Sequence, residues 1–160
     1  YYENGQIKTE ANYKDGKVDG VYNSWYENGQ IKTEANYKDD NLISQTDYYY
    51  YENGQIKTEA NYKDGKLDGK RTTWHENGQK ESESSYKDDN LISKTDYYYY
   101  ENGQIRTEEN YKDGKLDGVY NSWYENGQKK VETYFKDGKY TKWTEWRKNG
   151  KKKWNCWGLC

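Results

Sequence analysis

Few residues in this 160-residue chain have the types and spacing that chemistry requires. His75 is the only histidine, so neither a histidine-based metal site nor a Ser-His-Asp arrangement can be assembled. The string DGKLDG from Asp64 to Gly69 opens like a calcium loop. Lys66 and His75, however, stand at the third and twelfth positions, where such a loop needs oxygen ligands. A plain hairpin turn is expected there. Glu10, Glu34, Glu59, Glu83, Glu108 and Glu132 recur as a column, the one carboxylate set that acid–base work could draw on. Lysines flank it, so it is read as a solvated face. Cys156 and Cys160 are too few for zinc; a small terminal disulfide and two free thiols both remain open. Neither metal nor cofactor is expected, and the chain is read as no enzyme. The remaining candidates are rings. Trp25, Tyr50, Trp74, Tyr99, Trp123 and, allowing one deletion, Trp146 form a column. Because Tyr and Trp dominate interface hot spots, this column is the candidate binding stripe. The competing reading is that the rings simply cover one another and their own sheet.

The elements that must position this column are legible in the repeats. The string ENGQ begins at Glu3, Glu27, Glu52, Glu76, Glu101 and Glu125, so the spacing alternates between 24 and 25 residues. A second marker recurs between copies, as in Tyr13-Lys14-Asp15-Gly16 and Tyr62-Lys63-Asp64-Gly65. Between markers, side chains alternate strictly: Ile7, Thr9, Ala11 and Tyr13 on one face, Lys8, Glu10, Asn12 and Lys14 on the other. That period of two reads as strand. Asn-Gly and Asp-Gly suit type I′ hairpin turns. The extra residue of alternate copies is expected in the turns Asp39-Asp40-Asn41 and Asp88-Asp89-Asn90, as a three-residue loop with Asn left-handed. This alignment places Val18, Ile43, Leu67, Ile92, Leu116 and Tyr140 in one column. A bulge at Gly20, Gly69 or Gly118 would leave the face of the tryptophans open.

Composition fits this picture. Leu, Ile, Val and Phe make up about a tenth of the chain, while 21 Tyr and 7 Trp supply the apolar surface. The net charge of −2 argues against disorder. One 24-residue hairpin buries too little to offset its chain entropy, so copies must stack. The expected fold is all-β: an elongated single-sheet meander, solenoid-like, with repeats over residues 1–150 and a capping tail over 151–160. No apolar run is long enough for a membrane helix.

The stretch ANYKDGKLDG from Ala60 to Gly69, with copies at Ala11–Gly20 and Glu109–Gly118, resembles the core of MORN repeats. With its YENGQ…NYKDGKLDG rhythm, the chain is similar to the MORN-variant repeats of YwqK-type antitoxin proteins. Asp40 and Asp89 depart from the pattern, standing where Gly is usual. The resemblance implies an elongated sheet of β-hairpins and carries no catalytic residues. It implies a protein partner, with a toxin held by an antitoxin or immunity protein as the specific form. Alternatives are a bacterial surface adhesin and a lipid-associated scaffold. The expected localisation is cytoplasmic for an antitoxin, and cell surface or secreted if a signal peptide precedes Tyr1. The basic run from Lys148 to Lys153 could touch nucleic acid or headgroups. With the whole chain near neutrality, neither a nucleic-acid nor a membrane partner is expected. A monomer is expected, with edge-to-edge association as the alternative.

Overall fold

In a computed structural model, the structure describes residues 1–153, in which no helix occurs. The strands are β1 (Thr9–Lys14), β2 (Lys17–Trp25), β3 (Ile31–Lys38), β4 (Asn41–Tyr50), β5 (Ile56–Lys63), β6 (Lys66–Trp74) and β7 (Lys80–Lys87). They continue as β8 (Asn90–Tyr99), β9 (Ile105–Lys112), β10 (Lys115–Leu116), β11 (Gly118–Trp123), β12 (Lys129–Lys136) and β13 (Lys139–Glu145). They follow one another in one open antiparallel sheet, a meander in chain order, with the short β10 paired to β9. The expected all-β meander is what forms. The chain divides into two compact units, one of Tyr1–Lys80 with Ser84–Leu91, the other of Glu81–Glu83 with the residues from Ile92 onward. Cys156 and Cys160, and most of the tail from 151, lie outside the described residues.

In the first unit, each KDG-type turn has two residues. Asp15 and Gly16 take φ of 51° and 80°, and Asp64 and Gly65 take 50° and 76°. Both centres are left-handed, as the type I′ turn demands. Asp39 and Asp40 do the same at 48° and 66°, and Lys38 pairs directly with Asn41. The three-residue loop expected at Asp39-Asp40-Asn41 does not form. It is Leu42, not Ile43, that faces Tyr37, just as Val18 faces Tyr13 and Leu67 faces Tyr62.

The extra residue goes into the strand instead. In β2, the three residues Asp19, Gly20 and Val21 lie opposite Asn12 alone, with Gly20 at φ 111°. In β4, Ile43 alone is bulged. A bulge one residue smaller, in a strand one residue longer, advances β4 by two positions. Accordingly Ser24 lies opposite Thr9, but the residue opposite Thr33 is Asp47 rather than Tyr49. Two positions preserve the alternation of faces, so the shift leaves no trace in the hydrophobic pattern. The bulge at Gly20 likewise adds two residues and leaves parity intact.

Cross-strand partners share a face. One face carries Tyr22, Ala35, Gln45, Tyr62 and Leu67 in successive strands, beside Ser24, Thr33, Asp47, Ala60 and Arg71. The other carries Asn23, Glu34, Thr46 and Asn61, beside Tyr48, Glu59 and Thr72. Burial falls on small residues: Ala35 and Ala60 are sealed, Ser24, Thr58 and Thr73 are buried on the same face, and Thr72 is buried on the other. No large side chain is fully buried among the described residues; most rings are half-buried, while others such as Tyr13, Tyr49 and Tyr140 are exposed.

The second unit repeats the plan. Leu116 faces Tyr111, Gly118 takes φ 106°, and Ser122 lies opposite Thr107. Its last hairpin pairs Phe135 with Tyr140 and bulges at Thr141.

Candidate functional site: the groove at Tyr26–Glu52

The tight ENGQ turns build the candidate site. In the turn from Tyr26 to Gln30, the Tyr26 N–H donates to the Gln30 carbonyl at 2.8 Å, and the Gly29 N–H donates to the Tyr26 carbonyl at 2.9 Å. The Asn28 side-chain oxygen accepts from the Gln30 N–H at 3.0 Å. Gly29 alone has positive φ, 84°. This is a three-residue loop with a left-handed glycine, not the type I′ turn expected from Asn-Gly.

Where copies are 24 residues apart, one turn is stitched to the next in a fixed way. The Tyr2 hydroxyl donates to the Trp25 carbonyl at 2.7 Å, and the Asn4 amide donates to the Glu27 carbonyl at 3.0 Å. Tyr51 and Asn53 reach Trp74 and Glu76 likewise, and Tyr100 and Asn102 reach Trp123 and Glu125. The step from Tyr26–Gln30 to Tyr51–Gln55 breaks the series. Because β4 overhangs, the Tyr26 hydroxyl meets the Tyr48 carbonyl at 3.0 Å instead of that of Tyr50. Asn28 turns back to the side chain of Gln30 at 2.7 Å, and Gln30 takes over the bond to the next turn, at Gly54.

The two-residue overhang, roughly 6–7 Å of chain, opens a groove of about 450 Å³ between these turns. Tyr26, Tyr49, Tyr50, Tyr51, Glu27, Glu52, Asn28 and Gln30 line it. Tyr50 stands edge-to-face on Tyr26, with centroids 6.0 Å apart and planes at 89°. Burial pushes the hydroxyls of Tyr26 and Tyr50 above the ordinary tyrosine pKa, so both stay neutral at neutral pH. The charge lining the groove is therefore that of Glu27 and Glu52.

The predicted column is distributed along the sheet rather than gathered at one place. Trp25 pairs with Ile31, Tyr50 with Ile56, Tyr99 with Ile105 and Trp123 with Lys129; Trp74 ends β6. All six are half-buried. Trp146 bridges to Lys152 and lies beneath Lys129 and Lys152, at 5.7 and 5.8 Å. Only Tyr50 of the column lines this groove. Sequence reasoning missed Tyr26, Tyr49, Glu27 and Glu52, although the 25-residue spacing marked the spot. The glutamate column is also more engaged than expected: Glu34 accepts from Tyr48 at 2.6 Å, Glu83 from Tyr97 at 3.0 Å, and Glu132 from Lys129 and Tyr134. Among the described residues, no group of three His, Cys, Asp or Glu side chains is placed to hold a metal.

The repeat geometry has a counterpart among known families. The family described as MORN repeat variant matches residues 1–15, 18–39, 48–64, 67–88, 97–113 and 116–137, more than half of the chain. The chain belongs to the MORN repeat variant family. The matches over 18–39 and 67–88 each span one strand, an ENGQ turn and the next strand. The MORN unit is thus the hairpin closed by ENGQ. MORN repeats are repeat-based binding modules, generally without catalysis. No curated protein matches the chain.

Proposed function

We propose that this chain is a non-enzymatic protein-binding module, and that its specific form is an antitoxin or immunity protein of the YwqK type. One observation carries the binding reading. On a MORN sheet, the groove between the turns at Tyr26–Gln30 and Tyr51–Gln55 is lined by tyrosines and carboxylates, with Tyr49, Glu27 and Glu52 exposed. Rings beside polar groups are the composition of interface hot spots. Co-expression with a neighbouring toxin gene tests the specific form: pull-down of the toxin and rescue of growth support it, and absence of both removes it.

A second reading, association with anionic lipid, is favoured by one feature. Residues 129–153 carry ten Lys or Arg against three Asp or Glu, leaving the rest of the chain with 16 against 25. Whole-chain neutrality therefore conceals a basic last hairpin. Binding to vesicles containing phosphatidylserine that weakens with salt supports this reading, and no binding removes it.

A further inference from the structure

The two near-identical tyrosine runs, Tyr48–Tyr51 and Tyr97–Tyr100, differ in one informative contact. Tyr98 carries the guanidinium of Arg106 at 5.9 Å from its ring centroid. Tyr49 is the equivalent ring, since Tyr49 faces Thr58 as Tyr98 faces Thr107. The residue equivalent to Arg106 is Lys57, whose ammonium lies instead over Tyr51 at 5.4 Å. Lys32 similarly lies over Tyr26. Among the described residues, no cation of the chain stands over Tyr49 or Tyr50. Tyr49 is 45% exposed, and both rings line the groove with Glu27 and Glu52.

We propose that this groove is a guanidinium-binding site, which takes an arginine side chain of a protein partner. Arginine stacks its flat, weakly hydrated head on aromatic faces and donates in a fork that suits carboxylates. The groove is lined by both: the rings of Tyr49 and Tyr50, and the carboxylates of Glu27 and Glu52, neither of which makes a side-chain hydrogen bond or ion pair among the described residues. The second copy shows a guanidinium on the matching ring. A lysine at the corresponding position goes elsewhere and leaves the ring uncovered. The inference deepens the protein-binding reading and rests on it for the source of the arginine, while the site itself is testable without a partner.

The test uses the full chain with its tyrosine rings isotopically labelled. It is titrated with the capped tripeptide Gly-Arg-Gly and with its citrulline counterpart, which keeps the shape and removes the charge. The expected result is a saturable shift of the Tyr26, Tyr49 and Tyr50 ring signals by the arginine peptide. The citrulline peptide should bind at least about fivefold more weakly, and added salt should weaken the arginine peptide. The double variant Glu27→Gln/Glu52→Gln alters exposed side chains only and should lose the binding while keeping its β-sheet circular dichroism. Lys57→Arg should also weaken it, by supplying the ring with a guanidinium from within. Equal binding of the two peptides, unchanged affinity in the double Gln variant, or shifts confined to other tyrosines would each overturn the assignment. Failure to capture a toxin would remove the antitoxin reading and leave this result standing.

Discussion

Asn61 shows how much of the repeat motif is spent on one irregularity. Its amide donates to the carbonyl of Lys70, beside the bulge, at 2.6 Å, and its oxygen accepts from Thr46 at 2.8 Å. Its Cβ would lie 3.5 Å from a Cβ added at Gly69, whose φ is 105°. Asn110 repeats this arrangement with Val119, Thr95 and Gly118. The asparagine and the second glycine of NYKDGKLDG are thus one device: a bulge and the side chain that satisfies it. Gly69→Ala forces an L residue into a backbone that favours glycine, and should cost about 1–3 kcal/mol in urea unfolding. An equal stability would show that the bulge relaxes.

At the scale of strands and turns, Asp40 and Asp89 explain their own departure from glycine. The N–H of Asp40 donates to the Val18 carbonyl at 3.0 Å, while its carboxylate accepts from the Val18 N–H at 2.7 Å. Asp89 does the same with Leu67. Ion pairs run alongside, Lys38 to Asp19 at 2.7 Å and Lys87 to Asp68 at 2.6 Å. An Asp-Asp turn therefore clips onto the preceding Asp-Gly hairpin. Asp40→Ala should cost about 1–2 kcal/mol, whereas Asp40→Asn, which keeps the acceptor and tolerates the left-handed conformation, should stay within about 0.5 kcal/mol. Denaturant midpoints of the two variants decide it. The hairpin rhythm was legible because alternation and Asp-Gly turns are local signals. The clip was not, because Asp-Asp-Asn reads as a longer loop when the strand it meets is unseen. The groove was hidden for a related reason: a shift of two positions leaves every side chain on its expected face, so the hydrophobic pattern cannot report it. Trp25 and its column were correctly recognised as recurrent, but recurrence measures periodicity, and the groove arises where the period changes.

Across the whole molecule, stability should be narrowed by pH from both sides. The lysine ammoniums beside Asp19, Asp68 and Asp117 hold these carboxyls below their ordinary range. Their contribution is complete above the unfolded value near 4 and is lost as pH falls through the lower folded values. Burial and the Glu34 and Glu83 carboxylates push the Tyr48 and Tyr97 hydroxyls up, and Glu109 does so for Tyr111. For these the sign reverses: the contribution is complete below about pH 10 and fades as pH climbs through the raised folded values. Melting temperature should hold across the middle range and drop at each end. Asp→Asn at 19, 68 and 117 should flatten the acid limb, and Tyr→Phe at 48, 97 and 111 the alkaline limb. Unchanged limbs in these variants would place the sensitivity elsewhere.

The alternating clip also limits how such a gene can grow. An Asp-Asp turn adds a carboxylate bond to the Asp-Gly hairpin before it, so the smallest piece that can be copied or lost with every such bond kept is a pair. Removing residues 50–98 joins Tyr49 to Tyr99 with every neighbour still matched, and that shortened chain should melt as a single transition. Removing 26–50 alone sets two Asp-Gly hairpins side by side, as already occurs where the Gly138 N–H donates to the Leu116 carbonyl at 2.8 Å. The sheet should still close, but melt lower for want of the Asp40 carboxylate bond to Val18.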